Sequence, residues 1–305
     1  METKDKFDFN SIGGTALEVG SLKVNTLNLA RLAYENDNWG DYLSELKEKT
    51  ILALQTLDVI RGIIARNIEK GLLPNYAYGI MNLKSQYNTL GVIGIYEALQ
   101  AYRLTKQDEF GYTYYTDEGI RFATEIFKVL NSVKDEFSKD KDYQINIEEI
   151  PGERAAAVLM QKDKFCCPGQ AYELPLYGNQ WIPLGVKTTL QEKIRLSAIL
   201  DKACNGGSIA HINLDAPFSD SETAWNLLNY IADAGVVYFA FNTRISSCEE
   251  NHGFYGETCP HCGKPKVTSY QRIVGFLTRE SSYSKERKAE FDMRDWLEIE
   301  RMREI

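Results

Sequence analysis

The side chains best suited to chemistry are grouped near the carboxy terminus, in CEENHGFYGETCPHCGKP (248–265). Cys259 and Cys262 form a Cys-x-x-Cys pair, a spacing at which one tight turn points two thiolates at a common centre. Cys248 supplies a third sulfur. Zinc suits such a set, because sites closed by four sulfur and nitrogen ligands are tetrahedral and structural and leave no open position for a catalytic water. The segment therefore predicts a small zinc knuckle.

The fourth ligand of this zinc knuckle has to be something other than cysteine. His252, four residues after Cys248, is better placed than His261, which lies between two ligands. We therefore expect structural zinc to bind Cys248, His252, Cys259 and Cys262. The alternative is a redox-active cysteine pair, or a reduced turn without a metal.

A second unusual feature is Gly275, which interrupts the strand-like apolar run YQRIVGFLT (270–278). An isolated glycine in such a run commonly marks a bulge or a close approach of the backbone to another group. Glycine also has a chemical capacity. A radical at its α-carbon is delocalised by the flanking nitrogen and carbonyl when the centre is planar, and any Cβ would crowd that geometry.

The elements that would position these residues alternate between helix and strand in the second half of the chain. Such alternation predicts parallel strands joined by helical crossovers. The alternating segments are QINIEEI (144–150), GERAAAVLMQKDKF (152–165), TLQEKIRLSAILDKAC (189–204), SIAHINL (208–214), SETAWNLLNYIADAG (221–235) and VVYFAFNT (236–243).

Two of these helices have recognisable beginnings. Thr189 with Glu192, and Ser219 with Glu222, have the spacing of capping boxes, in which a hydroxyl accepts from the backbone of the first helical turn. The sequence therefore places helix starts at these two hydroxyl residues.

The first half of the chain is predicted to be mainly helical. Residues 22–35 have the pattern of a short strand that leads into a helix, and 41–70 that of a long amphipathic helix ended by glycine and proline. We expect further helices over 89–104 and from Thr116, whose hydroxyl and following acidic residues favour a helix amino terminus.

The charge-dense end of the chain, SKERKAEFDMRDWLEIERMRE (284–304), is interpreted as a surface helix. Its Phe291, Trp296 and Met302 are expected to pack on the body of the protein, because long side chains on such a helix can cover apolar surface.

Composition excludes several classes of protein. The 305 residues are 44% hydrophobic and 26% charged, which is typical of a globular protein with material for a sizeable core. A formal net charge of −8 argues against binding long nucleic acid through a broad basic surface. The amino terminus, METKDKFDFNSIGG, lacks the apolar core of a secretory signal, and no membrane-length apolar stretch follows. We expect a cytoplasmic protein.

The order of motifs at the carboxy terminus resembles that of a known family. A zinc knuckle, then Arg-Ile-Val-Gly-Phe, a short polar loop and a Lys/Arg/Glu-rich end resemble the carboxy-terminal signature of the anaerobic, class III ribonucleoside-triphosphate reductases. The resemblance extends over nearly the whole chain, through GSLKVNTLNLARLAYE (20–35), EEIPGERAAA (148–157), NGGSIAHIN (205–213) and AGVVYFAFNT (234–243).

This resemblance implies an α/β fold: a partial barrel, half of the ten-stranded barrel of glycyl-radical enzymes. Residues 1–243 would be the carboxy-terminal half of the reductase barrel with helical insertions. Residues 244–305 would hold the zinc knuckle, the glycyl radical loop and the terminal helix.

The resemblance also implies a function. Gly275 would be the catalytic radical residue, oxidised by a separate radical-SAM activating enzyme that carries an iron–sulfur cluster. The radical would pass to a cysteine, whose thiyl form takes the 3′-hydrogen of a ribonucleoside triphosphate. The assembled enzyme would be an oxidoreductase that supplies DNA precursors under anaerobic conditions, and we expect it to be a homodimer.

The thiyl cysteine of that family lies upstream of the segment that 20–35 resembles, and no cysteine precedes that segment here. Cys166, Cys167 and Cys204 are interpreted as ordinary thiols. We therefore expect the chain to be inactive alone and to need a companion amino-terminal half. A split gene, a truncated piece and a radical-carrying spare subunit are all compatible with the sequence. The alternative from another class is a zinc-binding assembly module in which no radical forms.

Three polar residues have weaker claims to function. Asn28 could approach the substrate, although asparagine at a strand end commonly closes a turn. Glu153 could accept a ribose hydroxyl, or simply stabilise the first turn of its helix. Arg272 could hold the glycine loop by hydrogen bonds to carbonyls, or be a solvated charge at a strand edge.

Overall fold

Parallel strands backed by helices form the framework of the molecule. The structure is a computed structural model that describes residues 18–272 and 276–299, except the side chain of Glu153. The chain forms two compact units: unit 1 consists of Met1–Lys106, Tyr115–Ile150 and Ile199–Ile209, and unit 2 of Gln107–Tyr114, Pro151–Ala198 and Ala210–Ile305. The predicted domain boundary between 243 and 244 lies inside unit 2, and a separate terminal domain remains a prediction.

The described helices and strands alternate along most of the chain. The helices are α1 (Leu29–Glu35), α2 (Trp39–Glu69), α3 (Pro74–Ala77), α4 (Ile95–Ala101), α5 (Asp117–Ser138), α6 (Glu153–Cys166), α7 (Leu190–Leu200), α8 (Ser221–Asp233) and α9 (Lys285–Asp292). The strands are β1 (Gly20–Asn28), β2 (Gln86–Ile93), β3 (Thr105–Gln107), β4 (Thr113–Tyr115), β5 (Ile145–Glu149), β6 (Ala210–Asn213), β7 (Phe239–Asn242), β8 (Ile245–Ser247), β9 (Gly253–Phe254), β10 (Thr268–Arg272) and β11 (Leu277–Arg279).

Unit 1 is built on a parallel sheet with the strand order β1-β2-β5. Helices α2 and α5 contact each other, and they pack on β1 and β5 respectively. The long helix predicted over 41–70 is confirmed as α2. It could be predicted because its apolar residues recur at the spacing of one helical face. The core between helices and sheet contains Leu46, Leu54, Leu57, Leu90, Phe122, Phe127, Leu130 and Ile147.

The prediction of a helix over 89–104 is wrong in its first part. Gln86–Ile93 is the central strand β2, and the helix α4 begins only at Ile95. Every residue of β2 is buried, so the strand lacks the polar alternation that distinguishes a half-exposed strand from a buried helix. Gly94, with a φ of +81°, makes the sharp change of direction between strand and helix.

Two other predictions in unit 1 are confirmed. The segment 22–35 is a strand that runs directly into a helix, as β1 and α1. Helix α5 begins after Thr116, whose hydroxyl accepts a hydrogen bond of 2.9 Å from the backbone N–H of Gly119. The hydroxyl satisfies one of the free donors of the first turn, as expected for an N-cap.

Unit 2 contains a parallel pair, β6 and β7, in the register Ile212↔Phe241. Helix α8 connects the two strands and packs on them through Leu227 and Ile231, so the predicted strand–helix–strand crossover is confirmed. The core of this part contains Leu190, Ile194, Ile212, Leu214, Leu227, Ile231, Val236 and Ile299.

Of the two predicted capping boxes in unit 2, one supplies the hydroxyl cap where expected. The Thr189 hydroxyl accepts a hydrogen bond of 3.1 Å from the backbone N–H of Glu192. At α8, however, the N-cap is Asp220 and not Ser219: the Asp220 carboxylate accepts from the backbone N–H of Thr223 at 2.7 Å. Aspartate caps helices as well as serine does, so the neighbouring carboxylate takes the position.

The antiparallel strands of unit 2 form a four-stranded sheet with the order β11-β10-β8-β9. The predicted terminal helix over 284–304 is shorter than expected, because α9 ends at Asp292. The chain then runs without helix until Leu297 forms an isolated bridge with Leu214, and this pairing replaces the continued helix. Phe291 is buried as predicted, whereas Met302 lies outside the described residues.

The α/β fold class is confirmed. Among residues 18–272 and 276–299, the parallel strands form one three-stranded and one two-stranded sheet and no closed barrel. A helix of the length and apolarity that a bilayer crossing demands is absent from the same residues.

Candidate metal centre and glycine hairpin

Four of the predicted site residues converge in unit 2. One ligand atom from each of Cys248, His252, Cys259 and Cys262 lies within 4.8 Å of all the others. The His252 Nδ1 atom is 3.6 Å from the sulfurs of both Cys248 and Cys259, and the sulfurs of Cys248 and Cys262 are also 3.6 Å apart. His261 is exposed and does not belong to this set.

Two tight turns hold the four side chains. Asn251 has a φ of +60°, and its backbone N–H donates to the carbonyl of Cys248 at 3.0 Å. In the second turn, Gly263 has a φ of +69°, and its N–H donates to the carbonyl of Cys259 at 2.9 Å. The left-handed conformation tightens each turn, and this is a geometry that glycine and asparagine adopt at low cost.

The electrostatics of the cluster favour a thiolate. Burial opposes ionisation of the Cys259 thiol, but hydrogen bonds from the backbone N–H groups of His261 and Cys262 outweigh it and lower the pKa of Cys259 to about 6. At Cys262 the backbone N–H of Lys264 lowers the pKa. Burial and the sulfurs of Cys259 and Cys248 act in the opposite direction, and the pKa of Cys262 is raised. A cation placed among the sulfurs would relieve this repulsion.

The arrangement fits a tetrahedral metal ion. Arms of about 2.3 Å to sulfur and about 2.0–2.1 Å to nitrogen give a tetrahedron with edges of about 3.6–3.8 Å. Three of the six distances between ligand atoms are 3.6 Å and agree with that geometry. Phe254, which is buried with Cys248 and Cys259, covers the apolar side of the cluster. The cluster could therefore hold one closed, four-coordinate ion.

The metal cluster and the glycine-containing segment share one sheet. Strand β8, which precedes Cys248, pairs with β10, and β10 pairs with β11 in the register Arg272↔Leu277. Residues 273–275 lie between these strands in the chain, so Gly275, the predicted radical residue, is outside the described residues. Phe276, which follows it, is 76% exposed, and Leu277 is also exposed.

Strand β10 is fastened to its surroundings at its last two residues. The Gln271 side chain donates to Asn213 Oδ1 at 3.3 Å, and the Tyr283 hydroxyl donates to the Gln271 carbonyl at 3.3 Å. The Arg294 guanidinium donates to the carbonyl of Arg272 at 2.9 Å. These bonds secure the strand immediately before residues 273–275.

Arg294 belongs to a buried group of three charges that the sequence analysis missed. Its Nε and Nη2 atoms donate to the two carboxylate oxygens of Glu290 at 3.0 and 3.1 Å, and Arg287 donates to the same carboxylate at 3.0 Å. Glu290 and Arg294 are four residues apart on a predicted helix, a spacing that indicates an ion pair. Nothing in that spacing indicates the contact with Arg272, which is distant in sequence.

A buried polar cluster extends from Gln271 towards the carboxyl ends of β6 and β7. Asn213 Oδ1 accepts from Gln271 and, at 3.4 Å, from the side chain of Asn242, which also lies 2.9 Å from His211 Nδ1. All four side chains are buried. Hydrogen bonds between side chains therefore link the parallel pair β6–β7 to the antiparallel pair β10–β11.

Of the three weaker candidates, Asn28 has an ordinary role in the structure. The Asn28 side chain caps α1 by accepting from the backbone N–H of Arg31 at 3.1 Å. The side chain of Glu153 is not described. The main-chain carbonyl of Arg272 accepts from Arg294, and the predicted hold of the Arg272 side chain on the loop stays a prediction.

The three remaining cysteines lie outside the four-residue cluster and differ in burial. Cys166 is exposed, Cys167 is half-buried and Cys204 is buried. Burial raises the pKa of the Cys204 thiol well above its usual value, and the nearby carboxylates of Glu149 and Asp201 raise it further. A thiol with such a raised pKa is a poor nucleophile at neutral pH.

Comparison with known proteins places this geometry in a family. Residues 3–296 match the family model described as anaerobic ribonucleoside-triphosphate reductase. A curated protein of that name from Haemophilus influenzae is 26% identical in an alignment 289 residues long, which covers 84% of this chain and 39% of the relative. A solved anaerobic ribonucleotide reductase superposes with a TM-score of 0.91 at 42% identity, over 96% of this chain and 47% of that one.

A further solved structure supports the same assignment. The anaerobic ribonucleotide reductase from Thermotoga maritima in complex with dATP and CTP has a TM-score of 0.85 at 42% identity, over 92% of this chain and 46% of that one. The chain thus spans less than half the length of these relatives. Since the family model matches nearly all of its residues, the chain belongs to the anaerobic ribonucleoside-triphosphate reductases, a family of oxidoreductases.

Proposed function

We propose that this chain is the carboxy-terminal, glycyl-radical-bearing part of a class III ribonucleoside-triphosphate reductase, with the radical stored on Gly275. The observation that carries the proposal is the family match over residues 3–296, together with a hairpin, β10–β11, that brackets residues 273–275. The hairpin stands on the sheet that carries the cysteine and histidine cluster.

Gly275 has the chemistry that such a role needs. Loss of one α-hydrogen atom leaves an unpaired electron that the adjoining amide groups delocalise, provided that the α-carbon becomes planar. The hydrogen atom would be removed by a separate radical-SAM activating enzyme, which brings its own cofactors. Gly275 would then store the oxidising equivalent until the substrate is bound.

In this proposal the four-residue cluster is a structural zinc site. Cys248, His252, Cys259 and Cys262 would fill all four positions, so the ion has no place for water or substrate. Zinc would fix the two turns and, through β8 and β10, the base of the hairpin. Its contribution is to folding, and no step of the reaction passes through it.

The proposed reductase requires a companion amino-terminal half. The chain covers 39% of the Haemophilus influenzae relative and 47% of the solved structure. The described residues contain five parallel strands in two sheets, and Gly207, three residues before β6, bridges to Glu148 of β5. We infer that these strands form half of a ten-stranded barrel, and that the companion half carries the thiyl cysteine.

Substrate and partners follow from the same proposal. The substrate would be a ribonucleoside triphosphate; the Thermotoga maritima relative has been solved in complex with dATP and CTP. The product would be the corresponding deoxyribonucleotide, a DNA precursor. We propose that the two halves assemble, that the assembled enzyme forms a homodimer, and that it works in the anaerobic cytoplasm.

The experiment that tests this role is anoxic activation followed by electron paramagnetic resonance. The chain is incubated with the activating enzyme, S-adenosylmethionine and reductant, with and without an amino-terminal half of a relative. We expect a doublet in wild type and in Gly169→Ala, a control at a glycine with open space around it. The signal should vanish in Gly275→Ala.

Two outcomes would count against the proposal. A doublet that survives Gly275→Ala would move the radical to another residue. A zinc-loaded wild-type chain that gives no doublet, even with the companion half present, would favour the zinc-binding assembly module instead. Reduction of ribonucleoside triphosphate only when both halves are present would support the division of the barrel.

A further inference from the structure

We propose that the outward face of helix α2 is a self-association surface, on which a second copy of this chain packs its own α2 in antiparallel orientation. The inference goes beyond the proposed function, because it concerns the chain itself and needs neither the glycyl radical nor a metal ion. It rests on where the apolar and the charged side chains of α2 lie.

The outward face of α2 lacks the charges that a surface helix ordinarily presents to water. Within residues 50–65, all of which the structure describes, only Asp58 and Arg61 are charged. Asp58 accepts from Lys141 and Tyr143, at 2.7 and 2.5 Å. Arg61 is buried and donates to backbone carbonyls. Both charged side chains are thus engaged by groups of unit 1.

Large apolar side chains occupy this outward face instead. Leu52 is 59% exposed, Val59 is 64% exposed and Ile63 is 42% exposed. They recur at intervals of seven and four residues, close to two turns and one turn, and so form a straight stripe about 16 Å long. A stripe with this spacing is what one helix presents to another helix laid along it.

Gly62 lies beside the stripe, at a position where unit 1 does not require glycine. A Cβ added to Gly62 would meet open space. Glycine weakens the interior of a helix relative to alanine, so its presence here costs stability. A glycine also leaves room for another backbone to come close. The position therefore favours a partner that packs tightly against α2.

The charges at the two ends of the stripe identify the occupant. Glu48 and Lys70 are both exposed, and each lies eleven residues from Val59, on opposite sides along the chain. Eleven residues are close to three helical turns, so the three residues share one face. When a second α2 lies antiparallel with its Val59 opposite Val59, Glu48 of each copy meets Lys70 of the other.

The same charges oppose a parallel pair of helices. A parallel pair would bring Glu48 against Glu48, Arg66 against Arg66 and Lys70 against Lys70. In the antiparallel pair Arg66 is level with Leu52, which its aliphatic stem can cover. The pattern is therefore self-complementary about a two-fold axis at Val59, as an interface between two identical surfaces requires.

The companion amino-terminal half is the competing occupant of this face. A partner of different sequence carries its own matching charges and imposes no symmetry on those of α2. The end charges of α2 are nevertheless symmetric about Val59, with opposite signs at equal distances. We therefore commit to a second copy of the chain, and binding of the companion half becomes one outcome of the test.

Sedimentation velocity of the full chain over a dilution series, with reductant present, measures the dissociation constant of the dimer. Val59→Glu would oppose two carboxylates at the two-fold axis, and we expect it to raise that constant roughly tenfold or more. Val267→Glu is the matched control, because Val267 is 57% exposed and lies outside α2. Circular dichroism should show both variants folded, since both side chains are exposed.

A charge-reversal cycle tests the orientation and leaves the apolar stripe unchanged. We expect Glu48→Lys and Lys70→Glu each to raise the dissociation constant roughly threefold, and the double variant to recover the wild-type value. Within one molecule Glu48 and Lys70 are about 33 Å apart along the helix, too far to interact. A recovery can therefore come only from contact between two copies.

Each contrary result overturns a stated part of the inference. A wild-type chain that stays monomeric throughout the series would overturn the self-association, and a dimer that Val59→Glu leaves unchanged would move the interface off α2. A double variant that fails to recover would overturn the antiparallel pairing. A companion half whose binding Val59→Glu prevents would be the occupant instead. None of these results alters the doublet expected from Gly275, so the two proposals fail separately.

Discussion

The four residues of the metal cluster differ in what each contributes. Cys259 is already acidic, with a pKa of about 6, because backbone N–H groups of its turn stabilise the thiolate. Cys262 ionises less readily, because a second sulfur charge would lie beside the first. Metal binding must therefore release the proton of Cys262, and the affinity should increase with pH in the neutral range.

Substitutions at the cluster should separate ligands from bystanders. We expect His252→Ala and Cys259→Ser to lose most of the bound zinc and to unfold at lower temperature, because a closed site contributes directly to folding. His261→Ala is the control: its ring lies beside His252 but is not part of the four-atom set. The amount of zinc per chain, measured by atomic emission, distinguishes ligands from non-ligands. An equal loss of zinc in His261→Ala would contradict the assignment of the four ligands.

Glu149 is a buried carboxyl whose surroundings oppose its ionisation. Burial, and then the nearby charge of Asp201, raise the pKa of Glu149 well above its usual value, and its Oε1 atom has no hydrogen-bond partner among the described residues. The folded state therefore retains a proton that the unfolded chain releases above pH of about 4.3. Stability falls as the pH rises from that value towards the folded-state pKa, and the loss persists at higher pH.

Replacing the titratable carboxyl of Glu149 with a neutral group should therefore stabilise unit 1 at neutral pH. We expect Glu149→Gln to increase the free energy of unfolding by about 1–3 kcal/mol at pH 7.5, with a smaller gain at pH 5, where wild type keeps the proton. Urea denaturation at both pH values measures the difference. Glu118→Gln, at an exposed site, should change little. A gain for Glu149→Gln that grows towards pH 5 would be inconsistent with a raised pKa.

At the scale of elements, helix α8 offers a direct test of its cap. Asp220 has the extended backbone of an N-cap, and its carboxylate accepts from the N–H of Thr223, whereas Ser219 only donates its hydroxyl to Asp220 at 3.1 Å. Asp220→Ala should lower the free energy of unfolding by about 1 kcal/mol, and Ser219→Ala by less than half of that. Chemical denaturation followed by far-ultraviolet circular dichroism measures both; the reverse order would restore Ser219 as the cap.

The elements that could be predicted from sequence are those whose pattern is local. Helix α2 repeats its apolar pattern over 31 residues. Helix α5 has a sequence-local N-cap at Thr116. Strand β2 could not be recognised, because burial on both faces removes the alternation that identifies a strand. The end of α9 was also missed, since it depends on the bridge between Leu297 and Leu214, which are far apart in sequence.

The same distinction applies to the site across the whole molecule. The four predicted ligands, Cys248, His252, Cys259 and Cys262, lie within fifteen residues of one another in the sequence. Their spacing alone indicates a shared centre, and the structure brings them together. In contrast, the hydrogen bond from the Arg294 guanidinium to the Arg272 carbonyl is a tertiary contact between a buried charge and a main-chain atom. No local pattern encodes it, because any carbonyl in the right place would serve as the acceptor.

The proposed radical predicts how the whole chain breaks. A glycyl radical reacts with oxygen at its α-carbon and the backbone is cut there, so an activated sample exposed to air should yield two pieces. One would be slightly smaller than the intact chain, and the other a short peptide that begins near Gly275 and contains α9. Gly275→Ala, and wild type kept anoxic, should remain intact. Mass spectrometry of the fragments locates the cut, and cleavage at any other residue would place the radical elsewhere.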